Sequence, residues 1–356
     1  MTPTDTIAVR IQPTTASRLP ELDFDHLEFG KAFADHMFVA DYRDGEWHDA
    51  QILPYGEMSV SPANSALHYG QAIFEGMKAY HQQDGGVALF RPLDNWARLN
   101  ASAERMCMPA LPEEIFMAGL TQLIQLDSGW VPTAPGSSLY IRPFMFATDG
   151  FIGVRPSDTY RFMIFTCPVG LYYNKPLRVR FEQKYVRSAE GGAGFAKAAG
   201  NYGGAMMPSK LAQEEGYHQL LWTDASEHQY VEESGTMNVV FIIDGRLVTP
   251  ALSSSILDGI TRRSVLQMAR DMGVPVEERR VSSLEIMKAL DAGLLQEAFG
   301  VGTAATIAPI ATIGFEGQDY HLPATGANAL SRRLGAALDA IRTGQAADSH
   351  GWMVRV

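Results

Sequence analysis

Lys197 sits at the centre of GGAGFAKAAGNYGG, residues 191–204, with Phe195 and Tyr202 as its only large neighbours. A surface lysine normally lies among polar residues. If this stretch packs inside, nothing nearby solvates the ammonium. Desolvation then favours the neutral amine, the form that attacks a carbonyl to make an imine. The small neighbours also leave room for a flat ligand close to the backbone. Composition alone supports a flexible glycine loop with a solvated lysine equally well. A second group able to do chemistry is the acid pair Glu232 and Glu233 in EESGTMN. A third is Tyr140 and Arg142 in SLYIRP, which strand alternation places on one face.

The rest of the chain bounds what these groups can serve. Its 356 residues, 46% hydrophobic with 33 glycines, fit a globular enzyme and are enough for two domains or for one large one. The net charge of -11 argues against nucleic acid or an anionic membrane as the main partner. No apolar run reaches the ~20 residues of a membrane span. The first 22 residues lack the apolar core of a secretory signal, and residues 1–20 read as a flexible or loosely attached arm. Cys107 and Cys167 show no metal-like spacing and read as two buried free thiols in a reducing compartment, the cytoplasm.

Elements follow from pattern. Arg43-Asp44-Gly45-Glu46 joins two strand-like runs as a hairpin, and Asp244-Gly245 is a second hairpin turn. Asn64 or Ser65 caps a short helix through Gln71, and MKAY pairs with VALFR across Asp84-Gly85-Gly86. Asp94 is the expected N-cap of a helix whose stripe is Trp96, Leu99, Ala103 and Met106. Arg98 lies one position off that stripe and reads as a surface charge. A second helix shows Ile115, Ala118, Gly119, Gln122, Leu123 and Leu126 on its core face. SSLYIRPFMFAT and TYRFMIFTCPVG are strands, and Pro168, Gly170 and Pro176 mark an interdomain connection. A helix is expected from Asn201 to Gly216, kinked at Pro208. Asp258 is expected to cap a helix to about Met272, whose first N–H groups, on Ile260 and Thr261, form a natural anion site. Residues 300–305 match G-x-G-x-x-A, but Pro309 and the β-branched residues after them argue against the helix a dinucleotide site needs. A helix from Leu330 to Arg342 and a short strand end the chain.

FAKAAGNYGG resembles the cofactor-lysine segment of branched-chain aminotransferases, which are pyridoxal 5'-phosphate enzymes of fold type IV. LHYGQAIFEGMKAY, NWARL, SLYIRP, EESGTMN and FGVGTA resemble further segments of that family, in the family's order, from about Phe38 onward. The resemblance implies an α+β chain of the D-amino-acid aminotransferase-like kind. A small α/β sandwich domain, 1–167, would connect through a loop, 168–181, to a larger cofactor-binding domain with a pseudo-barrel sheet, 182–356. It implies that Lys197 holds the cofactor as a Schiff base and that Tyr202 meets its phenolic oxygen. Glu233 would meet its ring nitrogen, although spacing alone leaves Glu232 open. Arg98, Thr236, Ile260, Thr261 and Thr303 would complete the cofactor site. Tyr69, Phe74, Tyr140, Arg142, Thr303 and Ala304 would contact substrate, and Tyr172 or Tyr173 in the connecting loop is a further candidate.

Taken alone, Tyr69 and Phe74 are more simply core aromatics. The implied reaction is ping-pong transamination of L-leucine, L-isoleucine and L-valine with 2-oxoglutarate by a homodimer. No metal is implied. The redox C-x-x-C of some relatives is replaced here by Ala305 and Ala308. A D-amino-acid aminotransferase and an aminodeoxychorismate lyase share the fold; SLYIRP and FGVGTA favour the L-enzyme. Lys197, Tyr202 and Glu233 together argue against a cofactor-binding protein without turnover.

Overall fold

The computed structural model describes residues 8–173 and 175–356. Residues 1–7 of the expected arm and Asn174 of the expected connection lie outside them. The chain divides into two units. One is Met1–Tyr172 with Ala196–Gly200 and Ala340–Val356; the other is Tyr173–Phe195 with Asn201–Asp339.

The first unit starts with β1 (Arg10–Ile11), β2 (His36–Arg43) and β3 (Glu46–Pro54). The hairpin β2–β3 turns through Asp44 and Gly45 at φ 56° and 84°. Two positive φ values are what a tight two-residue turn demands, and Asp-Gly supplies them cheaply. Next come α1 (Ser65–Tyr69), β4 (Ala72–Phe74), β5 (Met77–His81) and β6 (Val87–Phe90). Asn64 caps α1 by accepting from the N–H groups of Ala66 and Leu67, and Gly70 ends it at φ 65°. Then follow α2 (Pro92–Arg105), α3 (Glu113–Leu126), β7 (Ser138–Ala147) and β8 (Tyr160–Val169).

Four expectations change here. Helix α2 starts at Pro92, whose fixed φ suits a first helical position; Asp94 is inside the first turn and pairs with Arg91 at 2.8 Å. The core face of α3 is Ile115, Phe116, Gly119, Leu120, Leu123 and Ile124, whereas Leu126 is exposed. Gly119 is required there, since a Cβ would stand 2.7 Å from the Phe38 ring. The arm is tied down over its described part. β1 pairs with β3, Thr14 N–H donates to His36 Nε2 at 2.9 Å, and Asp35 accepts from Ser17 Oγ and Arg18 N–H. These are polar contacts, which hydrophobic patterning does not reveal. Both cysteines are free, but only Cys167 is buried; Cys107 is exposed.

The second unit carries β9 (Leu177–Glu182), β10 (Gln219–Thr223), β11 (Val231–Ser234), β12 (Asn238–Ile243) and β13 (Arg246–Thr249). The expected single helix after Lys197 is two, α4 (Ala199–Gly204) and α5 (Met206–Glu214). Pro208 has no N–H to offer Gly204, and the break falls at Ala205, ahead of the proline. Helix α6 (Ile260–Asp271) is capped by Gly259, with no side-chain cap. Asp258 instead pairs with Arg263 at 3.0 Å. The rest of this unit is β14 (Val276–Glu278), α7 (Ser283–Asp291), β15 (Leu295–Gly302), β16 (Thr306–Phe315), β17 (Gln318–His321) and most of α8 (Leu330–Arg342), while the last strand, β18 (Met353–Arg355), belongs to the first unit. A strand, β16, follows the G-x-G-x-x-A match, so no dinucleotide helix exists there.

The first unit's sheet runs β1-β3-β2-β8-β7-β5-β6-β18, with β4 on β7. It is antiparallel except at β1–β3. Its core lies between the sheet and α2 and α3, around Phe38, Ile52, Leu99, Phe116 and Leu120. The second unit's sheet is mixed, in the order β11-β10-β9-β16-β15-β12-β13-β14 with β17 on β16. It bends as a half-barrel over Val179, Leu221, Val239, Phe241 and Ile286. Ala196–Gly200 and Ala340–Val356, placed in the second domain from the sequence, group with the first unit. Ala198 bridges Ile73, and β18 pairs with β6. Among the described residues no helix is long and apolar enough to cross a membrane.

Helix α8 has no capping side chain in its own sequence. Glu297 of β15, buried, accepts from Leu330 N–H at 2.6 Å, Ser331 N–H at 3.1 Å and Ser331 Oγ. Glu297→Ala is expected to cost about 2 kcal/mol, measured as a lower urea midpoint at unchanged slope.

Candidate active site

In the first unit, Lys197 is held by its backbone. Its N–H donates to Ser102 Oγ at 2.9 Å, and its carbonyl accepts from Phe74 N–H at 3.1 Å. Ala196 and Ala198 on either side are 2% exposed, so their small side chains let this segment lie against β4. Lys197 is half-buried. Its Nζ lies 4.8 Å from the centroid of the Phe74 ring. Arg142 reaches the same ring, with its guanidinium carbon 4.5 Å from the centroid, and donates to Tyr140 Oη at 3.0 Å. Tyr140 and Arg142 therefore do share a face of β7. Gly76 leaves space for the Tyr140 hydroxyl, which a Cβ at that position would strike. Tyr69 ends α1 with its ring exposed, and His68 is its one ring contact among the described residues. Tyr172 packs on Phe29, which packs on Tyr140.

Arg98 is buried, not a surface charge. Its Nε and Nη2 donate to the two oxygens of Glu75 at 2.8 and 2.7 Å. Glu75 is 0% exposed, and sequence reasoning passed over it. Its signal was an acid inside the apolar run AIFEGM. Ser102 was also missed, since a serine within a helix carries no distinctive pattern.

In the second unit the acid, helix-start and glycine motifs meet. Glu233 is 3% exposed; its Oε1 accepts from Leu257 N–H at 2.8 Å and lies 3.2 Å from Arg187 Nη2. Asn238 Nδ2 donates to the Leu257 carbonyl at 2.9 Å, and its Oδ1 fills the space a Cβ at Gly259 would need. No larger residue could stand at the start of α6 without displacing Asn238. Ile260 and Thr261 follow, both 3% exposed. β12 pairs with β15 through Asn238 and Val301. Met237 packs on Gly300, where a Cβ would be 2.6 Å from its Cε. The two glycines of FGVGTA thus make room for Met237 of EESGTMN.

Thr303 and Ala304 form the turn after β15 and are half-buried. Thr236 is exposed in the two-residue turn between β11 and β12. Tyr202 is half-buried in α4, and Tyr173 Oη accepts from Gln219 Nε2 at 3.1 Å. Glu232 faces elsewhere: its Oε1 accepts from Ser255 Oγ. Burial pushes its carboxyl above the ordinary range, which Ser255 and Arg187 offset in part. Arg187, unremarked in the sequence, is the cation beside both acids.

The family model for amino-transferase class IV matches residues 72–313. The chain is 47% identical over 339 residues to branched-chain-amino-acid transaminase 1 of Bacillus subtilis, covering 94% of this chain and 95% of the relative. Its fold is similar to that of a branched-chain aminotransferase from Thermoproteus uzoniensis solved with norvaline. The TM-score is 0.74 at 26% identity, over 89% of this chain and 99% of that one. It is also similar to the branched-chain amino acid aminotransferase of Escherichia coli, at TM-score 0.72 and 26% identity, over 90% and 98% of the two chains. With the family model spanning both the lysine and the acid motifs, this chain belongs to the class IV aminotransferases.

Proposed function

We propose that this aminotransferase transfers the amino group of L-leucine, L-isoleucine and L-valine to 2-oxoglutarate, with pyridoxal 5'-phosphate carried on Lys197. The observation that carries the reading is the Phe74 ring with Lys197 Nζ and the Arg142 guanidinium carbon 4.8 and 4.5 Å from its centroid. An amine, an apolar wall and a cation then adjoin one ring. The wall suits an aliphatic side chain, and the cation suits the side-chain carboxylate of the acidic substrate. The similarity to branched-chain relatives supports the same substrate class.

The donor sets fit the cofactor. A half-buried amine, a buried carboxylate anchored by Leu257, and a helix start without a side-chain cap match its aldehyde, ring nitrogen and phosphate in kind. When bound, the cofactor supplies an electron sink for the substrate's Cα. Lys197 Nζ would take the proton from the substrate's Cα and deliver it to the cofactor's former aldehyde carbon, and the second half-reaction would run that transfer in reverse, so the cycle conserves protons. Glu233 keeps a proton on the ring nitrogen, and Tyr202 donates to the phenolic oxygen. Arg98, Thr236, Thr303 and the N–H groups of Ile260 and Thr261 hold the phosphate. Thr303 and Ala304 take the α-carboxylate, with Tyr69 and Tyr140 beside the side chain. The same reading makes the chain a cytoplasmic homodimer, which sedimentation of the holoenzyme checks.

Following the cofactor's absorbance tests the substrate. L-leucine should change it and 2-oxoglutarate restore it, with D-alanine inert. A response to D-alanine alone overturns the substrate assignment. No cofactor absorbance, even after adding pyridoxal phosphate, overturns the role of Lys197. Arg142→Met should lower kcat/KM for 2-oxoglutarate by about 10- to 100-fold, the loss of one charge-assisted contact. The leucine half-reaction should stay within about threefold, and single-turnover kinetics separate the two.

A further inference from the structure

Ser102 lies inside α2 and is 1% exposed. Its hydroxyl donates to the Arg98 carbonyl at 3.0 Å, the bond to residue i−4 that helical serines commonly make. The same oxygen accepts from Lys197 N–H at 2.9 Å, across 95 positions of the chain. Chemistry fixes both directions. A backbone N–H can only donate, so Oγ accepts from Lys197 and its single hydrogen is left for Arg98. A serine that served α2 alone would be satisfied by the Arg98 carbonyl.

Lys197 is gripped again at its carbonyl, which accepts from Phe74 N–H at 3.1 Å. The residue after Phe74 is Glu75, whose carboxylate holds the Arg98 guanidinium through two hydrogen bonds. Lys197, Ser102, Arg98, Glu75 and Phe74 therefore close one circuit, all within the first unit. Its other links are backbone bonds and a buried ion pair. Ser102 Oγ is the one neutral side-chain atom in it, with a bond on each side, and bonds in such a chain strengthen one another. Lys197 Nζ stands at the end of a long flexible side chain, so freedom at the backbone is passed on to the reacting atom. Proton transfer needs its atoms about 3–3.5 Å apart, and about 1 Å of misplacement costs up to about 100-fold.

We propose that Ser102 is a positioning residue for the transamination, its hydroxyl holding the backbone of Lys197 where Nζ reaches the substrate's Cα. Ser102 acts here through Lys197, so its role rests on the transaminase reading. It bears on the rate of proton transfer and not on substrate binding.

The test compares two holoenzyme variants, Ser102→Ala, which deletes the hydroxyl, and Ser102→Thr, which keeps it. Hydrogen exchange at the Lys197 amide reports the bond without any turnover. Ser102→Ala should speed that exchange at least about tenfold, and Ser102→Thr should leave it protected. The single-turnover rate with L-leucine should fall about 10- to 100-fold in Ser102→Ala, with half-saturation within about threefold of wild type. Ser102→Thr should restore the rate to within about threefold. A loss of packing alone would weaken substrate binding and lower the melting temperature together. A wild-type rate in Ser102→Ala, with the amide exchanging faster, would overturn the proposal, because the bond would then serve the fold alone. So would a loss in Ser102→Thr as large as in alanine while its amide stays protected. A wild type inert to L-leucine overturns the transaminase reading instead. Capture of pyridoxal phosphate by Lys197, trapped with borohydride and timed in each variant, then gives the same comparison without an amino acid.

Discussion

Lys197→Ala is expected to lower leucine transamination by at least about 10⁴-fold, the combined loss of nucleophile and proton carrier. The fold should survive the change. The backbone of residue 197 is fixed by Ser102 Oγ and Phe74 N–H, neither of which depends on the side chain. The position is only half-buried, so the melting temperature should stay within about 3 °C. Lys197→Arg is the more telling variant. It keeps a long nitrogen-bearing side chain beside Phe74 but cannot lose its proton, so it should be as inactive as alanine. An arginine variant with more than about a hundredth of wild-type turnover would refute the assigned chemistry. Borohydride reduction gives a separate readout: covalent retention of cofactor in the wild type and none in either variant.

The second large effect is on stability. Glu75→Ala should destabilise the protein by about 3–5 kcal/mol, because it strips a buried guanidinium of its carboxylate. Glu75 is 0% exposed, Arg98 8%, and two hydrogen bonds join them. Urea unfolding measures the loss. A Glu75→Met, Arg98→Met double variant should recover much of it, since removing both charges avoids leaving one buried alone. A single-variant cost below about 1 kcal/mol would mean that the pair is effectively solvated. Arg98 is also the proposed phosphate donor. Glu75→Ala should therefore weaken cofactor retention, seen as faster loss of cofactor on dialysis.

Local rules were legible where one interaction decides the outcome. Asp44-Gly45 and Asp244-Gly245 turn where the sequence placed turns, with both φ values positive in each. Asn64 caps α1, and α8 spans the expected Leu330–Arg342. Where two local signals competed, the choice was misread. Asp94 and Asp258 are good cap residues, yet Pro92 at a first helical position and Gly259 beside Asn238 set the starts of α2 and α6. The α3 face was misassigned because Gln122 and Leu126 fit the helical period as well as Leu120 and Ile124 do. Only the sheet beneath decides which side is covered.

By itself, the sequence determined the family, the lysine and the glycine-rich segments, because residue type and spacing carry them. Tertiary structure alone decided the partners. Glu75 meets Arg98 across 23 positions, and Lys197 N–H meets Ser102 across 95. Glu232 and Glu233, adjacent and alike in type, acquire different surroundings because a strand sends neighbours to opposite faces. A charge's role depends on its solvation and its counter-charge. Both come from chain segments remote in sequence, so no local pattern encodes them.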